Sequence, residues 1–560
     1  MKTIQTRVLI LGGGATGTGL ARDLALRGVE CLLAERHDIN SGASGGNHGL
    51  LHSGARYVAS DMEAAIECRE EGEILKKLAS QCIDDSGGLF VAVEGDDEKY
   101  VADFPAMCER SKIPAREVDL TEARHLEPAL SENLIAAYEV EDGAVDPFML
   151  SLDNLAHAMS LGTQYVRNAQ VVGFTVVSGR IVKAEFLNEA TGERFAVEPD
   201  IVVNATGAWA GLVASLAGAN INILYSAGSL IVSQDRITQR VVNRLRKASD
   251  ADILVPGGTV SILGTTSVTI ESPDMCQPTV VDTDIMIEDA KAMIPVLEST
   301  RFIRAYAGVR PLVLSGDGGD ARSVSRGFSL IDHAQDDVEN FVTITGGKLT
   351  TYRLMAERTA DMVCRKIGVT APCLTRTAIL PSSGMGRWTE PGLGPKEWIR
   401  KRSADDIMLC ECEMISKEGV NAIVENIGNA GGESLIQTIG MRSRVGKGPC
   451  QGGFCGLRIT GHLYDEQLVD QSQGLHELRH FVERRWRGFS PVLWGLGAIQ
   501  ADLQEALYCG ALDFELEGNT ETFGCDVSEC GDSITDKIAE QFAENVPDSA
   551  GMKNDASENQ

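Results

Sequence analysis

Three groups of residues in this chain have types and spacings suited to chemistry. The first is Gly12-Gly-Gly14-Ala-Thr-Gly17, a G-x-G-x-x-G. Its glycines let the backbone turn tightly and approach a pyrophosphate, and a helix starting there adds free N–H groups and a positive dipole end. Glu35 falls at the end of the next strand-like run, where a carboxylate accepts hydrogen bonds from ribose hydroxyls. The second group is cationic and titratable. It holds His52, Arg56 and Tyr57 in His52-Ser-Gly-Ala-Arg56-Tyr57, Arg310 in Ala307-Gly-Val-Arg310-Pro-Leu312, and Arg326 in Ser323-Val-Ser-Arg326. His333 beside Asp332 and Lys348 in Thr345-Gly-Gly-Lys348 complete it. Guanidinium forks match a phosphate dianion, and an imidazole titrating near neutrality suits a general base. A single arginine is more often an ion-pair partner and a single histidine more often structural, so these strings count together. The third group is sulfur. Cys410-Glu-Cys412 and Cys450-Gln-Gly-Gly-Phe-Cys455 form two close pairs whose thiolates can surround one metal or cluster. Cys525 and Cys530 repeat the second spacing in the acidic tail, where unliganded thiols are the expectation.

The elements needed to position these groups are legible. Arg7 to Gly12 is a short aliphatic run that predicts a buried strand, Ala15 to Arg27 predicts a helix capped by Gly28, and Cys31 to Ala34 predicts a second strand. That is a complete βαβ opening, so the fold class is α/β. Ile201 to Leu224 reads as strand, turn and helix, and Phe341 to Thr345 as a strand before a helix from Leu349 to Ile367. Strand-like and helical segments alternate up to residue 372. A Pro/Gly/Ser-rich linker follows over 373–404, then a compact cysteine segment over 405–460, a mostly helical region over 461–515, and an acidic tail over 516–560. The tail is expected to be partly disordered.

Composition narrows the function. A chain of 560 residues has room for two to four domains, and 59 glycines suit a fold with many tight turns. A net charge of −29 argues against nucleic acid, whose affinity comes from Lys and Arg. No uninterrupted apolar run is long enough to span a bilayer and no leader is expected, so the 14 cysteines do not read as a secreted disulfide framework.

NAD and FAD share the glycine fingerprint. Ser41-Gly-Ala-Ser44-Gly-Gly-Asn-His48, Val202-Val-Asn-Ala205-Thr-Gly207 and Gly346-Gly347-Lys348 together resemble the glutathione-reductase-like FAD superfamily, specifically its D-amino-acid-oxidase/glycerol-3-phosphate-dehydrogenase branch. With the cationic strings, residues 1–370 closely resemble FAD-dependent glycerol-3-phosphate dehydrogenases. The resemblance implies a Rossmann-like FAD-binding domain interleaved with an α+β substrate domain, plus a small helical cysteine domain. It implies FAD contacts from Gly12, Gly14, Gly17, Glu35, Ser41, Ser44, Ala205, Gly207, Gly346, Gly347, Lys348 and Thr350. It further implies sn-glycerol 3-phosphate contacts from Arg56, Tyr57, Arg310 and Arg326, and catalytic work by Lys348 and Arg310 with His52 or His333 as base. Sequence does not separate the two histidines. One departure stands out, because relatives carry Lys-Gly-Ser where this chain has Ala227-Gly-Ser229. The cysteine segment resembles the bacterioferritin-associated-ferredoxin-like [2Fe–2S] domain fused to the anaerobic form of this dehydrogenase, with zinc at Cys410, Cys412, Cys450 and Cys455 the alternative. In that form electrons pass through a companion flavin subunit, then through an iron–sulfur membrane anchor, toward menaquinone. This implies a cytoplasmic chain peripheral to the inner face of the membrane, and admits FMN in the wider complex. An amine or amino-acid oxidase of the same branch, or a non-catalytic electron relay, are the alternative functions. The run His480 to Phe489 interleaves arginines with aromatics, as either a partner surface or an ordinary packed helix.

Overall fold

Val8, Leu9, Ile10 and Leu11 are each at most 2% exposed. A strand covered on both faces belongs in a parallel sheet held between two layers. In the computed structural model, which describes residues 2–189, 191–314, 327–386, 394–401, 403–427, 435–512 and 514, that strand is Lys2–Leu11. It runs parallel to Cys31–Ala34, with Val8 beside Cys31, and to Arg194–Asn204, with Leu11 beside Asn204. Gln164–Val166 extends the sheet beyond Cys31–Ala34, and Phe341–Gly346 extends it beyond Arg194–Asn204. Helices Ala15–Leu26, Pro147–Ser160 and Tyr352–Lys366 cover one face through Leu20, Leu24, Ala158 and Met355. The other face packs Leu9, Leu32 and Phe341 with Phe186 of the antiparallel strand Arg180–Asn188. Gly28 closes the first helix with φ +72°, the left-handed turn expected of it.

Among the described residues, a second sheet of nine strands is interleaved in sequence with the first. Its longest pairing joins Ile223–Ser233 antiparallel to Phe302–Val313, with Ser226 opposite Arg310 and Gly228 opposite Gly308. The helix Val280–Ala290 covers this sheet through Met286 and Ala290. Phe489 and Val492, far along the chain, enter the same core. The expected α/β class is therefore observed, with a second sheet interleaved in sequence with the parallel one.

Residues 1–501 form one compact unit and 502–560 a second. The linker expected at 373–404, the cysteine segment at 405–460 and most of the region at 461–515 lie within the first. The second unit is described over 502–512 and 514, including the turn Ala506–Ala511. The cysteine segment carries a short hairpin, Met408–Cys410 with Ile415–Ser416, and the helices Lys417–Ile427, Leu435–Met441 and Cys455–Asp465. The arginine-and-aromatic run lies in the helix Gln471–Phe489, which buries Leu478 and Phe481 and leaves Trp486 43% exposed. Among the described residues no helix is long and apolar enough to cross a membrane.

Candidate active site

The N-terminus of the first helix opens into a cavity of about 1390 Å³ that reaches from the parallel sheet to the second sheet. Gly12, Gly14, Glu35, Ser41, Ser44, Ala205, Gly207, Gly346, Gly347 and Lys348 all line it, as the glycine fingerprint and its companion strings anticipate. Gly12 has φ +108°, and a Cβ there would lie 2.6 Å from the Ala205 carbonyl oxygen, so only glycine fits. Gly14 caps the helix without a side-chain bond, and the Ser44 hydroxyl accepts from the Ala15 amide at 2.9 Å. The Glu35 carboxylate accepts from the amides of Gly13 at 2.6 Å and His37 at 2.9 Å. Burial pushes that carboxyl above its ordinary range, against the pull of those two bonds. A glycine cradle, a helix N-terminus and an acid beside it fit the pyrophosphate and ribose of FAD.

Two residues grouped with these act one layer further back. Gly17 does not reach the cavity; a Cβ on it would lie 1.9 Å from the Gly12 carbonyl oxygen, so it lets the helix press against the turn. Thr350 is fully buried, and its hydroxyl accepts from the His52 amide at 3.1 Å instead of facing the cofactor.

The far wall of the same cavity carries His52, Arg56, Tyr57, Arg310 and Lys348. Arg310 donates to the Thr266 carbonyl at 3.2 Å and to the Thr265 hydroxyl. Space for its guanidinium comes from Gly228, where a Cβ would lie 2.4 Å from Nη2. His52 is 8% exposed, with Nε2 3.4 Å from the Tyr57 hydroxyl. Lys348 Nζ stands 4.6 Å from the centre of the Tyr57 ring. Arg56 is paired with the buried Asp252 and donates to the Arg244 carbonyl at 3.3 Å, so part of its charge is already balanced. Gly308 meets Gly46 backbone to backbone: a Cβ on Gly308 would lie 2.0 Å from the Gly46 carbonyl oxygen.

His333 does not reach this cavity. It is fully buried and stacked on Phe341 with ring centroids 4.7 Å apart, and both nitrogens are engaged, Nδ1 with Asp336 at 2.6 Å and Nε2 with Thr343 at 2.8 Å. Of the two candidate bases the fold brings only His52 to the cavity. Ala227 is not on its wall either; its neighbour Gly228 is. Arg326, Cys525 and Cys530 lie outside the described residues. Several wall residues carry no signal of their own in the sequence, among them His48, Thr265 and Thr266. His48, whose ring lies 6.1 Å from that of His52, stood unremarked inside the Ser41–His48 loop, and Thr265 and Thr266 carry no motif.

The family model for FAD dependent oxidoreductases matches residues 7–362. The A subunit of the anaerobic glycerol-3-phosphate dehydrogenase of Escherichia coli (strain K12) is 41% identical over 542 residues, spanning 92% of this chain and 99% of that one. The chain belongs to this A-subunit family. A member from Haloferax volcanii, an A1 subunit, is 36% identical over 90% of this chain and 90% of its own. Among solved structures, the glycerol-3-phosphate dehydrogenase from Bacillus halodurans complexed with FAD superposes with a TM-score of 0.62 at 19% identity, covering 88% of this chain and 96% of that one. L-proline dehydrogenase from P. horikoshii follows with a TM-score of 0.54 at 22% identity, over 66% and 95%. Those two likenesses are of fold.

In this family member the four cysteines lie together. Cys410 and Cys412 sulfurs are 3.8 Å apart, Cys412 and Cys450 sulfurs 3.9 Å apart, and Cys455 hydrogen-bonds both Cys410 and Cys450. None forms a disulfide. Hydrogen bonds from the neighbouring thiols push Cys410 and Cys450 toward thiolate, helped by the amides of Glu413, Gly452 and Phe454. Close-set sulfurs met by backbone donors are the kind of ligand that a metal or small cluster takes, although among the described residues no group of three or more His, Cys, Asp or Glu side chains is arranged as a metal site.

Proposed function

We propose that this chain oxidises sn-glycerol 3-phosphate to dihydroxyacetone phosphate. The observation that carries the reading is a single cavity joining the glycine cradle and Glu35 to Arg310, His52 and Lys348. Gly12, Gly14, Glu35, Ser44 and the Gly346–Gly347 pair would hold FAD, which would supply the acceptor for the hydride from C2. Arg310, steadied by Thr265 and Thr266, presents a planar fork to the phosphate dianion. His52 takes the proton from the C2 hydroxyl, its ring steadied by Tyr57. Lys348 donates to the same oxygen and favours its developing negative charge. Atoms balance, because C2 loses a hydride and its hydroxyl loses a proton to His52. Arg56 and Arg326 are further phosphate contacts in this reading, with Arg56 acting from its pair with Asp252.

The same reading assigns Cys410, Cys412, Cys450 and Cys455 a [2Fe–2S] cluster, with zinc as the alternative occupant. It sends electrons through a companion flavin subunit and an iron–sulfur membrane anchor toward menaquinone at the inner face of the membrane, with FMN admitted in the wider complex. Support comes from the amide donors around the sulfurs and from relatives named as the A subunit of an anaerobic enzyme.

The test is an anaerobic absorbance titration of the purified, FAD-loaded chain with sn-glycerol 3-phosphate. Bleaching of the flavin bands by stoichiometric substrate is the expected result. A loaded chain that stays oxidised with this substrate, but bleaches with amines, would replace the assignment. Iron, sulfide and zinc assays on the same sample identify what the cysteines hold.

A further inference from the structure

Residues 442–448 form a strap between the cysteines and the flavin loop. At one end Arg442, 3% exposed, donates through Nη2 at 2.9 Å and Nε at 3.2 Å to the carboxylate of Asp38, itself 2% exposed. Asp38 in turn fixes the loop that follows it. Its amide donates to the Ser41 hydroxyl at 3.2 Å, and that hydroxyl donates back to the Asp38 carbonyl. Ser41 and Ser44 are cavity wall. At the other end, a Cβ on Gly448 would lie 2.5 Å from the Cys412 sulfur, and Arg444 binds Glu413, the neighbour of Cys412. Between the ends, Lys447 Nζ stands 4.4 Å from the centre of the Phe148 ring. That ring lies 3.1 Å from where a Cβ on Gly45 would be, on the reverse side of the same flavin loop.

Two more details point the same way. Arg167 donates to the Thr438 hydroxyl at 3.2 Å and stands 3.7 Å from Asp38, so the carboxylate is held from both sides of the seam. Arg442 Nη1 is buried without a hydrogen-bond partner, so its pair with Asp38 gives the guanidinium its main compensation. A buried ion pair tolerates little displacement, because a shifted partner leaves an uncompensated charge in a low dielectric. Anything that loosens the Cys412–Gly448 end must therefore be felt at Ser41.

We infer that Arg442 is a positioning residue for FAD, through Asp38, and that filling the cysteine site and binding FAD reinforce each other along this strap. The inference rests on the reading that the four cysteines hold a metal or cluster. With the site filled, the sulfurs are drawn together and the strap is held against Asp38. With it emptied, nothing draws the Cys412 segment against Gly448 and the strap relaxes. Because the coupling is a free energy, FAD must stabilise the cysteine site by the same factor.

The experiment is a measurement of FAD dissociation from the full chain, with the cysteine site filled and emptied, in wild type and in Arg442→Met. Emptying is done by chelator under mild oxidation, and independently by Cys412→Ser. In wild type, emptying should weaken FAD binding about tenfold, ~1.4 kcal/mol. In Arg442→Met, FAD binding should start weakened and change by less than about twofold on emptying, while Arg442→Lys should restore part of the response. A purely structural arginine would weaken FAD equally in both states and leave the response to emptying intact, which would overturn the inference. So would an unchanged wild-type affinity. If Arg442→Met does not fold, Asp38→Asn severs the same bond. A chain purified without iron, sulfide or zinc would overturn both the cysteine reading and this one, and the metal assay alone would reveal it.

Discussion

The His52 amide donates to the Thr350 hydroxyl at 3.1 Å across a sequence separation of 298 residues. Thr350 belongs to the short turn Leu349–Thr351, which begins directly after Lys348. The bond therefore fixes the segment carrying Lys348 against the segment carrying His52 and Tyr57. Both side chains converge on Tyr57, His52 at its hydroxyl and Lys348 over its ring. Two distant stretches of chain are thereby joined into one wall of the cavity.

That wall separates the two histidines by experiment. His52→Gln should lower kcat by roughly 10²- to 10⁴-fold, the usual cost of losing a general base, with flavin content unchanged. His333→Ala should leave kcat and KM nearly unaltered while lowering stability by roughly 2–4 kcal/mol, because it opens a cavity and orphans the buried Thr343 hydroxyl. Steady-state kinetics and denaturant melts on both variants check this, and the opposite pattern would reassign the base.

Arg310→Gln should raise the KM for sn-glycerol 3-phosphate with little change in FAD content. Losing charge-assisted bonds to a phosphate costs about 1.5–3 kcal/mol, roughly ten- to a hundredfold in KM. An unaltered KM would mean that the phosphate is held elsewhere in the cavity.

Gly12→Ala should yield protein with a native circular dichroism spectrum and almost no flavin absorbance. A side chain at φ +108° carries strain of about 1–3 kcal/mol, and the added methyl meets the Ala205 carbonyl oxygen in the cradle itself. Full flavin loading in this variant would contradict the placement of the pyrophosphate.

Acid should weaken the seam between the flavin loop and the strap. Burial alone would raise the Asp38 carboxyl, but Arg442, aided by Arg167, outweighs it and holds the group below the usual carboxylate range. A depressed carboxyl contributes stability that is fully present above its unfolded value of about 3.9 and is lost as pH falls through the folded value. The stability difference between wild type and Asp38→Asn should therefore be constant from neutrality down to about pH 5 and shrink below about pH 4. A difference that persisted in strong acid would show that the ion pair is not its source.

What was legible in the sequence was local. Strand, glycines, helix and Glu35 fall within about 35 residues, and each constrains the next, so the glycine turn and the helix that opens into the cavity could be read directly. The rest depends on pairings that no single sequence displays. Arg56 looks like a free phosphate ligand until Asp252, 196 positions on, is found beside it. Arg442 and Asp38 are 404 positions apart and carry no motif. His52 and His333 both stand beside polar residues in sequence; only the fold turns one toward the cavity and stacks the other on Phe341. Thr350 misleads because it closely follows Gly346, Gly347 and Lys348, which do line the cavity, yet its own side chain is buried against the His52 segment. Phe489 and Val492 complete a sheet core that begins some four hundred residues earlier, at Leu89.

The contact between Gly46 and Gly308 has a consequence for building hybrids of such enzymes. Each glycine belongs to a different half, one to the cofactor loop and one to the substrate sheet, and neither tolerates even a methyl group on the other's account. A chimaera taking its two halves from different parents will close only when both parents bring glycine to this seam. In this chain, recombination between the two halves therefore passes through a two-residue gate.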